Sequence, residues 1–132
     1  MTYRPTGTTA QASERRTQGE NRRVALHRLR LELALTIRRP IRHDADHPYS
    51  PSPLWRARCR GGRLNVNPEH DDFPALLAEA LDVSSARNDD PKDAAVLLGC
   101  STTQLIKFLK LAPRALAFVN ERRRAAGRHP LS

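Results

Sequence analysis

Residues 71–110 read DDFPALLAEALDVSSARNDDPKDAAVLLGCSTTQLIKFLK, and this stretch decides the fold class. Helix start and stop signals divide it. Asp90 followed by Pro91 predicts a helix start, Gly99 predicts its end, and Ser101 predicts the N-cap of another helix. The first predicted helix carries an apolar face at helical spacing, made of Phe73, Leu76, Leu77, Ala80 and Leu81. The last one carries Leu105, Ile106, Phe108 and Leu109. The stretch therefore indicates consecutive short helices.

The pattern continues to the end of the chain. Pro113 is followed by a run from Ala115 to Arg124 that predicts one more helix, which Gly127 would end. Residues 71–132 are therefore interpreted as a helical domain.

A longer helix is predicted over residues 13–39, with Ser13 as its N-cap and Pro40 closing it. Large aliphatic residues recur at three- and four-residue steps and form one apolar stripe, made of Leu26, Leu29, Leu33 and Ile37. The arginines of this segment lie largely off that stripe. We expect a long basic helix with this apolar stripe along one side.

Two further segments complete the predicted organisation. Residues 1–12 contain Pro5-Thr6-Gly7, a turn signal between residues suited to strands, and predict a small N-terminal β-hairpin. Together with the long helix it would form a partial domain over residues 1–39. Residues 40–70 are rich in proline and arginine and predict an irregular linker without a packed core, with a short ordered piece around Leu54 and Trp55. Trp55 in the linker is interpreted as an anchor onto a helix, or else as a platform that stacks on a base. The fold class is thus mainly α with one small β-hairpin.

The charge of the chain predicts a polyanionic partner. Its 132 residues carry a net charge of +9. Residues 1–70 hold 14 Lys and Arg against 6 Asp and Glu, whereas residues 71–132 hold 9 against 8. Clustered cations bind phosphates favourably because they release the counterions of a nucleic acid. The alternative is an arginine-rich protein that has no such partner.

A set of fixed spacings near the N-terminus resembles a known family. The residues are Arg4-Pro5-Thr6-Gly7, Glu14-Arg15-Arg16-Thr17-Gln18, Asn21-Arg22, Ala25-Leu26 and Leu29. They resemble the part of class I peptide-chain release factors that follows the catalytic Gly-Gly-Gln loop. The resemblance covers about residues 2–38, under a third of the chain.

The resemblance implies a role in translation termination or ribosome rescue, with large-subunit rRNA and tRNA as partners. It also implies that the polar face of the long helix contacts RNA through Arg15, Arg16, Gln18, Asn21, Arg22 and Arg23. Peptidyl-tRNA hydrolysis is the activity of the family, but these 132 residues contain no Gly-Gly-Gln. We therefore expect a protein that is truncated at its N-terminus or inactive in hydrolysis, and we assign no catalytic residue. No segment resembles a codon-recognition domain, which favours rescue over ordinary termination.

Residues 91–110 also fit a helix–turn–helix pattern and support an alternative function. Such a unit would make the chain a DNA-binding regulator whose second helix presents Ser101, Thr102, Thr103, Gln104 and Lys107. The low net charge of this part favours a packing role for the helix pair. A third interpretation is an adaptor without a nucleic-acid partner.

Other chemistry finds little support in the sequence. His43, Asp44, Asp46 and His47 form a polar group, but the flanking prolines argue against a helical zinc site, so we expect no metal. Neither a phosphate-binding loop nor a dinucleotide fingerprint occurs, so no cofactor and no small-molecule substrate are expected. Cys59 and Cys100 form no CxxC pair and suit reduced thiols. No apolar run is long enough for a membrane span and no signal region is visible, which together predict a cytoplasmic protein.

Overall fold

The computed structural model describes the backbone of residues 8–132 and the side chains of residues 17–132. The described part is mainly helical, with six α-helices and one small antiparallel sheet. In chain order the elements are α1 (Thr8–Thr36), α2 (Pro53–Arg58), β1 (Cys59–Arg60), β2 (Arg63–Leu64), α3 (Phe73–Ala86), α4 (Pro91–Leu98), α5 (Thr102–Lys110) and α6 (Pro113–Ala125).

The predicted N-terminal hairpin is not what the structure shows. Residues 1–7 lie outside the described residues, and Thr8 to Ala12, where a second strand was expected, are helical. Ala10, Gln11 and Ala12 are good helix formers, so the helix extends before Ser13 and this residue is no N-cap. The sheet that does form lies after α1, between β1 and β2.

The apolar stripe of α1 is not the side of the helix that packs on the core. Leu26, Leu29, Leu33 and Ile37 are between 46% and 56% exposed. Ala34 and Leu35 are buried instead, and Leu31 packs beside them against the core. Residues Leu31 and Leu35 are four apart and so share one side of the helix, which faces α3. The small side chain of Ala34 suits a close approach between the two helices.

Residues 40–70, expected to lack a packed core, contribute to it. Trp55 in α2 is fully buried and its ring meets Phe108 of α5 edge-on, with the ring centres 5.6 Å apart. Ser52 caps this short helix by accepting a hydrogen bond from the backbone N–H of Trp55 at 3.1 Å. The anchoring role considered for Trp55 is therefore confirmed, because a fully buried ring is not available for stacking on a base.

The helices of residues 71–132 match the sequence closely. The predicted apolar faces of α3 and α5 are buried, apart from the half-buried Ile106. Asp90 caps α4 by accepting from the N–H of Lys92 at 3.0 Å, and Ser101 caps α5 by accepting from the N–H of Gln104 at 3.1 Å. Gly99 follows α4 with a φ of 73°, a left-handed conformation that suits glycine. The capping signals thus determined these boundaries.

Candidate nucleic-acid interface

The polar face expected to contact RNA is exposed over the part of α1 whose side chains are described. Asn21, Arg22 and Arg23 are all exposed. Arg23 lies 3.7 Å from the carboxylate of Glu20, an exposed pair one helical turn apart that contributes little to stability. Gln18 is exposed as well and has an interaction of its own. The side chains of Arg15 and Arg16 fall outside the described ones.

Two contacts fix α1 to the rest of the chain beyond its buried residues. His27 Nε2 lies 3.0 Å from the carbonyl oxygen of Pro68. Farther along, Arg114 of α6 makes a two-pronged pair with Glu32, whose second hydrogen bond is 3.0 Å long. This pair lowers the pKa of Glu32, chiefly through the hydrogen bond from Arg114. The contacts hold the helix while its arginine-bearing part stays open to solvent.

Helices α4 and α5 form the predicted helix–turn–helix unit. Ala94, Leu98, Leu105 and Phe108 are buried as expected, and Cys100 is half-buried. The turn runs through Gly99 to the cap at Ser101. A short helix, a capped turn and a second helix that packs on the first are therefore present, as the pattern predicts.

The hairpin formed by β1 and β2 contacts one side of the beginning of α5, where a recognition helix would read bases. The backbone N–H of Ser101 points to the carbonyl oxygen of Gly62 at 3.4 Å, and Gln104 Oε1 accepts from the N–H of Leu64 at 3.3 Å. Thr102 is half-buried, whereas Thr103 and Lys107 are exposed. Gln104 is the residue of the predicted set best suited to contact a base, and its amide oxygen is engaged in a hydrogen bond within the chain.

A second concentration of cations surrounds the hairpin formed by β1 and β2. The charge excess of residues 1–70 indicated this part of the chain as a polyanion contact, but not the contribution of Lys107 from α5. Arg60 and Arg63 of the hairpin and Lys107 of α5 line a cavity of about 700 Å³. Lys107 lies 44 or more residues after the two arginines in the sequence, so only the docking of the hairpin on α5 brings the three cations together. The signal that could have indicated the site was the arginine run from Arg56 to Arg63.

The polar group at residues 43–47 forms a loop structure. Asp44 Oδ1 accepts from the backbone N–H groups of Asp46 and His47 at 3.0 and 2.7 Å, and Arg42 donates to Oδ2 at 2.9 Å. The hydrogen bond from Arg42 is the main cause that lowers the pKa of Asp44. His43 Nδ1 accepts from the N–H of Tyr49. Within residues 17–132, no group of three or more His, Cys, Asp and Glu side chains could hold a metal ion.

A larger cavity of about 750 Å³ lies between α1, α3 and the segment before α2. Two of its three lining carboxylates, those of Glu79 and Asp82, accept structural hydrogen bonds. Glu79 accepts from the Tyr49 hydroxyl and from the N–H and hydroxyl of Ser52, while Asp82 Oδ1 accepts from the N–H of Arg39 at 3.0 Å. Burial raises the pKa of both Tyr49 and Asp82. These bonds fix Arg39, Tyr49 and Ser52 to α3.

Comparisons with other proteins add no relative. None of the protein-family models, curated proteins or solved structures compared with this chain matches it. Among the described residues, no helix has the length and apolar character that crossing a membrane requires.

Proposed function

We propose that this chain is a release-factor-like RNA-binding protein that contacts large-subunit rRNA near the peptidyl-transferase centre, in translation termination or ribosome rescue. The observation that carries the proposal is the exposed face of Asn21, Arg22 and Arg23 on α1, the helix that contains the family-like spacings. The concentration of positive charge in residues 1–70 supports it independently.

The proposed mode of binding follows from the chemistry of this face. Arginine guanidinium groups pair with phosphate oxygens through two parallel hydrogen bonds. Asn21 and Gln18 would donate to phosphate or 2′-hydroxyl groups, the contacts by which proteins recognise RNA backbones. Arg15 and Arg16 precede them in the same helix and would extend the contact along the strand. The proposal concerns binding to rRNA and tRNA, and it includes hydrolysis only for a chain that carries a Gly-Gly-Gln loop.

The alternative is a DNA-binding regulator that uses α4 and α5. The helix–turn–helix geometry favours it, since the turn and both caps form as such a unit requires. The hydrogen bond between Gln104 and Leu64 weakens it, because a base-reading amide must be available to the base edge. We therefore place RNA binding first. An adaptor without a nucleic-acid partner would show no salt-dependent binding to any polyanion.

Sedimentation with large ribosomal subunits tests the proposal. Arg22→Ala combined with Arg23→Ala should weaken binding and reduce its salt dependence, since two phosphate contacts are lost. The matched control is Lys92→Ala with Arg124→Ala, which removes the same charge from exposed positions on α4 and α6. Equal binding by the two double variants would overturn the assigned face. Duplex DNA binding that survives the α1 changes but is lost with Gln104→Ala would favour the regulator.

A further inference from the structure

The β-hairpin sets two like charges opposite each other. Arg60 and Arg63 are direct cross-strand partners in β1 and β2, and both are exposed. Like charges in such a pair destabilise a hairpin. The turn between them is Gly61-Gly62, with φ angles of 61° and 79°, the conformation that a two-residue hairpin loop needs and that glycine allows. The hairpin therefore holds both guanidinium groups at one end despite their repulsion.

The hairpin docks on α5 beside a third cation. Gln104 Oε1 accepts from the backbone N–H of Leu64, and Lys107 lies one helical turn beyond Gln104. No ion pair or side-chain hydrogen bond joins Arg60, Arg63 or Lys107 to another residue whose side chain is described. The repulsion between the three cations is thus uncompensated by acids within that part of the chain.

The cavity enclosed by these elements lacks acidic groups. Its lining residues are Ala57, Arg58, Arg60, Arg63, Leu64, Asn65, Gln104 and Lys107. Arg58 is already neutralised, because its guanidinium donates to Asp72 at 2.9 Å. The other three cations are available to a ligand. Asn65 is exposed beside them and adds an amide that can donate to a phosphate oxygen.

We propose that this cavity binds consecutive phosphates of an RNA strand and forms a second RNA contact besides α1. The inference rests on the proposed function, which supplies RNA as the partner. Three unpaired cations around one concave surface suit a polymer of phosphates better than a single anion, since each cation can meet a separate phosphate. The position of the hairpin favours RNA over DNA, because the hairpin contacts the end of α5 that would enter a major groove and engages the amide oxygen of Gln104.

Fluorescence anisotropy with a labelled 24-nucleotide single-stranded RNA tests the site at several salt concentrations. Arg60→Gln with Arg63→Gln should weaken binding at low salt and reduce the slope of log affinity against log salt by about 1.4, at roughly 0.7 per phosphate contact. Adding Lys107→Gln should reduce the slope further. Lys92→Gln with Arg124→Gln is the matched control, and Arg60→Lys with Arg63→Lys should restore most of the slope because it keeps the charge.

Each result has one meaning. Equal slopes of log affinity against log salt for the hairpin variant and the control would overturn the site. A hairpin variant that loses more affinity for 24-base-pair DNA than for RNA would overturn it as well. Trp55 fluorescence checks that the variants are folded, since the ring is buried beside α5. If binding to large subunits depends on Arg22 and Arg23 while the hairpin changes leave RNA binding unchanged, the proposal of an RNA site in the cavity is contradicted and the proposed function is not. RNA binding that depends on Arg60 and Arg63 without any binding to ribosomal subunits contradicts the ribosomal function and leaves the cavity standing.

Discussion

The indole nitrogen of Trp55 donates a 2.8 Å hydrogen bond to the carbonyl oxygen of Leu98, which lies 43 residues later in the chain. Leu98 is the last residue of α4, and the final carbonyls of a helix have no partner within it. The same ring packs against Phe108 of α5. One side chain therefore ties α2 to both members of the helix–turn–helix unit and places the adjoining hairpin next to α5.

Truncating Trp55 should cost much of the stability of the protein. We expect Trp55→Ala to lower the free energy of unfolding by about 3–5 kcal/mol, the usual cost of removing a buried aromatic ring. Trp55→Phe should cost less, about 1–3 kcal/mol, because the phenyl ring fills most of the space. The remaining cost comes from the buried carbonyl of Leu98, which loses its hydrogen bond. Urea unfolding followed by circular dichroism measures both. Val96→Ala is the control, since Val96 is 73% exposed on α4; a similar loss there would contradict the assignment.

Two leucines of α1 should respond differently to truncation. Leu35→Ala is expected to lower the free energy of unfolding by about 2–5 kcal/mol, because Leu35 is buried against the core. Leu29→Ala should change it by no more than about 0.5 kcal/mol, since Leu29 is 56% exposed. Chemical denaturation of both variants gives the comparison. A large loss for Leu29→Ala would mean that the leucine stripe read from the sequence is the buried face after all.

Two glycines should give substitutions of opposite sign. Gly99→Ala should destabilise by about 1–2 kcal/mol, because alanine strains the left-handed backbone that ends α4. Gly19 lies within α1, and a Cβ added there would meet no atom within 4 Å. Gly19→Ala should therefore raise the free energy of unfolding by about 0.5–1 kcal/mol. No atom crowds a Cβ at Gly99 either, so backbone conformation alone accounts for the difference. Thermal melts of the two variants that shift in the same direction would refute this explanation.

The thiol of Cys100 should be unreactive near neutral pH. Burial raises its pKa to about 11, and the neighbouring Cys59 adds to the effect. Only the thiolate is a nucleophile, so alkylation of Cys100 by iodoacetamide in the folded Cys59→Ser variant should be far slower at pH 8 than in urea. Its rate should rise about tenfold per pH unit until the pH approaches the pKa of the thiol. Rapid alkylation at pH 8 would contradict the burial.

The same pKa has a consequence for stability, with a definite sign. The folded state favours the protonated thiol, because its pKa is raised above the ordinary value of 9.0. This contribution is present in full below the unfolded pKa and is lost as pH rises from there to about 11. The free energy of unfolding should therefore fall over that interval in the wild type, and less in Cys100→Ala. Denaturation curves at several alkaline pH values measure it.

Capping and periodicity account for what could be predicted in the second half of the chain. Asp90, Ser101 and Gly99 act on the backbone within a few residues, so their effects are visible in sequence. The buried face of α3 was also predictable from the sequence, because the large apolar residues of that helix lie on one side of it. The RNA-contact face of α1 came from a resemblance, and the exposed positions of Arg22 and Arg23 agree with it while the assignment stays a prediction.

The amino-acid sequence by itself determined the helical class, both ends of α4, the start of α5 and the excess of cations, because propensity, caps and charge are local properties. Tertiary structure decided which side of α1 is buried. That helix carries aliphatic residues on two sides, and the side that includes Leu35 is the one that α3 covers. Tertiary structure also brought Lys107 to Arg60 and Arg63, since their meeting depends on a hairpin docking against a helix more than forty residues away.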